Sequence, residues 1–252
     1  MRLATRLLAA AIPALLFAHS AAQADQARVA VAANFAEPAK AIADILEKTT
    51  GHTIAISTGA TGALYTQIKN GAPFDVFLAA DTERPAKLEA EGNAVAGSRF
   101  TYATGQLVLW SVQPGRVDDQ GQILKAADLG KVAHANPKTA PYGAAALQVL
   151  DHLGLASALA THRVQGESIG QTYGFAKSGN ADVGFVAMSQ VLAGGALKEG
   201  SMWVIPQAMY EPIRQDAAML KRGADNAAAK AFLALLKRDE IKELIRSYGY
   251  SI

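Results

Sequence analysis

Cysteine is absent from all 252 residues, which excludes a disulfide framework, a thiolate metal site and attachment through a lipid-modified N-terminal cysteine. No excess of charge of either sign is present. Removing Arg2 and Arg6, which belong to the extreme N-terminus, leaves 22 of the 24 basic residues against 22 acidic ones, a balance that speaks against a nucleic-acid-binding surface. Beyond the N-terminus no apolar run reaches the roughly 20 residues needed to span a bilayer. Histidine is also scarce: the five fall at 19, 52, 134, 152 and 162, none of them after Ser168. That order matters because Gly166-Glu167-Ser168-Ile169-Gly170 fits the G-x-S-x-G pattern of a nucleophile elbow, whose histidine follows the serine in the chain. A secreted serine hydrolase using Ser168 is therefore a minor alternative. With His152 and His162 ten residues apart and no cysteine, a transition-metal site has no support, and no residue is expected to ligate a metal cation directly.

Arg2 and Arg6 precede an apolar run from Leu7 to Phe17, and small residues end at Ala22-Gln23-Ala24. Residues 1–24 thus read as a secretory signal peptide, cleaved before Asp25, and export to the periplasm is the expectation. The remaining 228 residues suffice for two lobes, each with a core of its own.

From Ala27 the chain alternates short apolar strands with amphipathic helical stretches. Strands are expected at Ala27 to Ala32, Thr53 to Ser57 and Phe74 to Ala79, with helices placing Ala39, Ile42, Ala43, Ile45 and Leu46 on one face and then covering Ala63 to Lys69 and Glu83 to Glu91. A long extended segment, Thr101 to Val112, and the turn-rich Gln113 to Gly121 mark a passage into a second unit with the same alternation: strands at Val132 to Ala135, Arg163 to Gln165 and Val183 to Ala187, and helices at Tyr142 to Leu153 and Gly170 to Ser178. Trp203 to Ile205 reads as a strand, the stretch near Pro212 as polar, and Asn226 to Lys237 and Asp239 to Tyr248 as helices that return to the first unit. The class is α/β, with mostly parallel sheets flanked by helices. Residues 25–104 and 210–252 are assigned to lobe I, and residues 105–209 to lobe II.

In such sheets a ligand sits beyond the carboxyl ends of the strands, where loops enter helix N-termini. Asn34 and Thr61 stand at two of these turns, and Pro141-Tyr142-Gly143 and Ser168-Ile169-Gly170 at two more. Four helix starts with amide, hydroxyl and backbone N–H donors, and with no Lys or Arg, suit an oxyanion that is already deprotonated. The plainer reading is that Asn34 and Thr61 cap their own helices. Asp75 and Asp81, which bracket the third strand, are expected in structural roles as caps or acceptors of backbone hydrogen bonds.

Three segments carry a resemblance: Val29 to Phe35 (VAVAANF), Ala60 to Asp81 with Gly71-Ala72-Pro73-Phe74-Asp75-Val76-Phe77 inside it, and Ser247-Tyr248-Gly249-Tyr250. Through them the chain resembles the periplasmic molybdate-binding proteins of ABC importers over nearly its whole length. The resemblance implies a two-lobed periplasmic binding protein fold of type II with the ligand cleft between lobes. It further implies a monomer that binds molybdate or tungstate without a cofactor and delivers it to a membrane permease. By position, side-chain donors fall on Asn34 and Thr61 and backbone donors on Tyr142 and Ile169. One departure stands out, since Ala187 occupies a position where many members place a tyrosine ligand. Sulfate or thiosulfate as ligand and service as a sensing module are the alternatives within the binding class.

Overall fold

The computed structural model describes residues 24–252; apart from Ala24, the signal-peptide segment lies outside them. The first unit is built from contiguous strand and helix pairs. Strand β1 (Gln26–Ala32) leads through a 3-10 turn, Ala33–Phe35, into α1 (Ala36–Thr50). Helix α1 buries Ala39, Ile42, Ala43 and Leu46, the i, i+3, i+4, i+7 stripe of an amphipathic helix, and stops where Gly51 takes φ 77°, a left-handed conformation that costs glycine little. Next come β2 (Thr53–Gly59), α2 (Thr61–Lys69), β3 (Val76–Leu78) and α3 (Glu83–Ala90).

The extended segment expected from Thr101 to Val112 is in fact two strands, β4 (Phe100–Gly105) and β5 (Leu107–Ser111), separated by Gln106 and belonging to different sheets. The second unit continues with β6 (Val132–Ala135), α4 (Pro141–His152), β7 (Arg163–Gly166), α5 (Ile169–Lys177), β8 (Val183–Ala187) and the short α6 (Met188–Val191). A small hairpin of β9 (Leu192–Ala193) and β10 (Ala196–Leu197) precedes β11 (Ser201–Val204). The stretch after Pro212, read from sequence as merely polar, is a long buried strand, β12 (Ile213–Met219). Helices α7 (Ala227–Leu235) and α8 (Asp239–Ser247) close the chain.

Two five-stranded sheets result, ordered β2-β1-β3-β12-β4 and β11-β5-β8-β6-β7. In each, four strands run one way and one is reversed, β12 in the first sheet and β5 in the second. Both faces of both sheets are covered. In β1, Val29 and Val31 face a core shared with Phe35, Ile42, Phe232 and Ile245, while Ala30 faces the opposite core of Leu64, Phe77 and Leu88. In β5, Leu107 and Leu109 join Val132, Val149 and Phe185, whereas Val108 and Trp110 pack with Val186. That strict alternation is the period of two expected of a strand buried on both faces. The carboxyl ends of β1, β2, β3, β6 and β7 all lead into turns that enter helices or their caps, and the two sets of turns face each other.

Candidate functional site

The turns after β1 and β2 meet those before α4 and α5 around one cavity of about 190 Å³ of atom-free space. The part open to the centre of a water-sized body is about 10 Å³, on the order of one such body. The space is far too small for a sugar or an amino acid. Asn34, Thr61, Tyr142 and Ile169, which sequence places at four separate turns, all line this cavity, and no charged side chain does.

The helix starts around it are undersupplied with caps. The N-cap positions of the Ala33–Phe35 turn, of α2 and of α4 are Ala32, Ala60 and Ala140, and none makes a side-chain cap bond. Alanine is a poor N-cap, and the first N–H groups of a helix have no acceptor within it. Asn34 and Thr61 therefore do not cap their helices, contrary to the plainer expectation. Only α5 is capped, by Ser168, whose hydroxyl accepts from Gln171 N at 3.2 Å. Ser168 thus has a structural role, and no histidine is hydrogen-bonded to it among the described residues. Uncapped N–H groups and aligned helix dipoles make the cavity positive without a cation.

Thr61 is buried, and its Oγ1 accepts from Ala80 N at 3.0 Å. A hydroxyl that accepts through one lone pair still has its own proton to donate, and the cavity is where that proton is free to go. Asn34 is buried too, within a polar cluster behind the cavity. Its Nδ2 lies 2.8 Å from Gln215 Oε1 and 3.0 Å from the Tyr250 hydroxyl, and its carbonyl oxygen accepts from Ser189 Oγ at 2.7 Å. The hydroxyl of Tyr142 accepts from Gln215 Nε2 at 3.2 Å, so Tyr142 turns its side chain to this cluster and brings only backbone and ring to the cavity. Burial pushes the hydroxyls of Tyr102, Tyr142 and Tyr250 upward from the usual tyrosine value, which keeps them protonated as donors.

Ala187 is wholly buried at the end of β8 and is not among the cavity-lining residues. Its N–H donates to Gln190 Oε1 at 3.0 Å, and Gln190 Nε2 donates in turn to Ile169 O at 3.1 Å, so this corner braces the start of α5. Asp75 and Asp81 keep away from the site. Asp75 accepts from Arg28 N at 2.7 Å; Asp81 accepts from Arg84 N at 2.9 Å and pairs with the Arg84 guanidinium. Gln215, Tyr102 and Ser189 were invisible to sequence reasoning, because each reaches the site from an element distant in the chain, while Tyr250 lies in a segment that carries the family resemblance but was given no role at the site.

Contacts between the two sheets' elements ring the cavity. Gly62 N donates to Thr139 O at 2.8 Å, and Arg84 Nη2 donates to Lys138 O at 3.0 Å. Together with the Gln215–Tyr142 and Ser189–Asn34 bonds they hold the turns of the two units against each other. Among the described residues no group of three or more His, Cys, Asp and Glu side chains is arranged to hold a metal ion, and no helix is long and apolar enough to cross a membrane.

Comparison with known proteins agrees with this geometry. The family model described as bacterial extracellular solute-binding protein matches residues 27–251. The chain is 56% identical over 232 residues to the molybdate-binding protein ModA of Azotobacter vinelandii, covering 92% of each. It is also 56% identical to ModA of Rhodobacter capsulatus, over 91% of this chain and 89% of that protein. The solved structure of an A. vinelandii periplasmic molybdate-binding protein superposes with a TM-score of 0.87 at 43% identity, over 90% of this chain and 99% of that one. A chain that matches from β1 to the last residues of its tail, with these turns around one donor-lined cavity, belongs to the bacterial extracellular solute-binding proteins and, within them, to the ModA molybdate-binding family.

Proposed function

We propose that the protein captures molybdate in the periplasm for an ABC importer, with Asn34, Thr61, Tyr142 and Ile169 as its anion donors. The observation that supports this reading most is the convergence of these four residues on one small cavity that has donors, three uncapped helix starts and no charged lining. Molybdate is a compact tetrahedral dianion. Taken out of water, each of its oxygens needs donors to replace those it leaves, and the proposed donors are Thr61 Oγ1, the N–H groups of Thr61, Tyr142 and Ile169, and the Asn34 amide once its NH₂ turns from Gln215 and Tyr250. Tungstate has the same charge and shape and binds in the same way. Phosphate near neutral pH carries a proton that would find no acceptor in a donor-only site.

The two sheets are the cores of two lobes, residues 25–104 with 210–252 and residues 105–209. The anion meets an open cleft and is enclosed when the lobes hinge together at the crossings near Gln106 and before Ile213. The N-terminal segment directs export and is removed, the free protein works as a monomer, and its enclosed form docks on the permease. It catalyses no reaction: Ser168 is engaged as a helix cap, and the donors hold an anion that leaves unchanged.

Thr61→Ala tests the site. It removes one charge-directed hydrogen bond, and molybdate binding measured by calorimetry should weaken by about 1–3 kcal/mol. Affinity equal to that of the unaltered protein would remove Thr61 from the site.

A further inference from the structure

Successive residues of a regular strand point to opposite faces. In the pairing of β12 with β4 the register shifts opposite Gln215 and Asp216, with Tyr102 of β4 as the extra residue, and the side chains of Gln215 and Asp216, on opposite faces, are both wholly buried. Bulges commonly re-aim a side chain beside a functional site. Here the Asp216 carboxylate accepts from Arg99 and Thr101, at 2.6 and 2.7 Å, and the Gln215 carboxamide enters the polar cluster behind the cavity. It lies 2.8 Å from the Asn34 amide, 3.0 Å from the Tyr102 hydroxyl and 3.2 Å from the Tyr142 hydroxyl. Gln215 therefore joins the anion-facing side chain of the first sheet to the residue that starts α4 on the second.

The oxygen and nitrogen ends of a carboxamide have nearly the same shape, so this cluster has two hydrogen-bond arrangements. In the first, Asn34 Nδ2 donates to Gln215 Oε1 and to Tyr250, which commits both amide protons of Asn34 away from the cavity. Tyr102 then has one proton for two acceptors, Ala79 O at 3.1 Å and Gln215 Oε1 at 3.0 Å. In the second, both amides are reversed. Gln215 Nε2 donates to Asn34 Oδ1 and to Tyr102, Tyr102 gives its proton to Ala79 O, Tyr142 donates to Gln215 Oε1, and Tyr250 donates to Asn34 Oδ1. Tyr250 moves its proton from Asn34 O, 2.8 Å away, which keeps the Ser189 hydroxyl as donor, and the Asn34 NH₂ is turned to the cavity.

We propose that Gln215 is the positioning residue of the anion site: an oxyanion selects the second arrangement, in which Gln215 holds Asn34 as a donor and takes the Tyr142 proton, fastening α4 to β12. This rests on the reading of Asn34 and Tyr142 as ligands. The approach of Tyr142 to Gln215 also explains Gly105, where a Cβ would come within 1.9 Å of the Tyr142 hydroxyl and 2.6 Å of Gln215 Nε2.

The test uses Gln215→Met, which keeps length and removes the amide, alone and combined with Asn34→Ala or Thr61→Ala. Molybdate affinity is read by calorimetry and the Asn34 side-chain NH₂ signals by nitrogen-15 NMR. Gln215→Met alone should bind about tenfold to a hundredfold more weakly. It should add clearly less than its full effect in the Asn34→Ala background, where only its contact with Tyr142 is left to lose, but its full effect in the Thr61→Ala background, and molybdate should shift the Asn34 NH₂ signals in the unaltered protein but not in Gln215→Met. Unchanged affinity of Gln215→Met with weakened Thr61→Ala would overturn the inference and leave the site standing, as would full additivity with Asn34→Ala. Unchanged affinity of both Asn34→Ala and Thr61→Ala would instead overturn the site itself. Should Gln215→Met not fold, Gln215→Glu takes its place: a carboxylate only accepts and pins Asn34 in the first arrangement, so binding at full strength by that variant would contradict the proposal, as would Asn34 NH₂ signals of the unaltered protein that ignore molybdate.

Discussion

Thr61 divides its hydrogen-bonding capacity between the fold and the cavity, accepting from Ala80 N on one side and keeping its proton for the other. A serine hydroxyl can do both, so Thr61→Ser should bind molybdate nearly as well as the unaltered protein where Thr61→Ala does not. Gly105 makes the opposite kind of contribution, by having no side chain. The 1.9 Å approach of a Cβ to Tyr142 is one that a packed interior cannot absorb, and overpacking of this kind typically costs 1–3 kcal/mol. Gly105→Ala should therefore lower the melting temperature or hold the lobes apart; a variant that melts and binds like the unaltered protein would contradict the close packing of Tyr142 against β4. Neither Asn34 nor Thr61 is informative alone in the sequence, since either could be an ordinary cap. Four residues at corresponding turns made the cavity legible, since all four line it. Gln215 was not, because its amide reaches Asn34 across 181 positions of chain from a strand whose Ile-Arg-Gln-Asp start reads as polar.

At the scale of elements, the alanines at the starts of α2 and α4 are the informative choice. A serine at Ala60 and at Ala140 would cap these helices and should stabilise each by about 1 kcal/mol. At α4 that hydroxyl would occupy the N–H of Tyr142, the second residue of the helix and a proposed anion donor, so Ala140→Ser should raise the urea midpoint and weaken molybdate binding together. A gain in stability with undiminished affinity would mean that this N–H group does not serve the ligand. Contiguous βα units were readable from sequence because each carries its own period, two in the strand and 3.6 in the helix. Where partners are remote the reading failed. Residues Thr101 to Val112 are uniformly extended and look like one strand, yet Gln106 turns toward Ile205 O and Tyr210, at 2.8 Å each, and divides the run between two sheets. The polar start of β12 is masked in the same way, its charge and amides being satisfied by Arg99, Thr101 and Asn34.

Over the whole molecule, the turns of the two sheets meet at a cavity with no charged side chain in its lining, and the proposed function asks enclosure to make hydrogen bonds and helix dipoles strong enough to hold an anion. Removal of water raises the value of each donor and the cost of each one left unmatched. Buried tyrosines complete this shell and set its alkaline limit. Tyr102, Tyr142 and Tyr250 are all raised by burial, so the folded chain keeps protons that the unfolded chain releases above about pH 10. The stability they contribute is fully present below that pH and is lost as pH rises beyond it. Urea melts should show little change from these groups between about pH 7 and 9 and a falling midpoint above 10; a midpoint that rises there would contradict the burial of the cluster. The central claim is that a small cavity lined only with donors selects a dehydrated, fully deprotonated tetrahedral oxyanion, and calorimetric titration of the ligand-free protein with molybdate, tungstate, sulfate and phosphate at neutral pH tests it most directly. Tight binding of molybdate and tungstate with no heat from phosphate is the expected result, with sulfate, equally deprotonated, showing what ion size alone contributes; preference for phosphate, or no heat with any of the four, would contradict it.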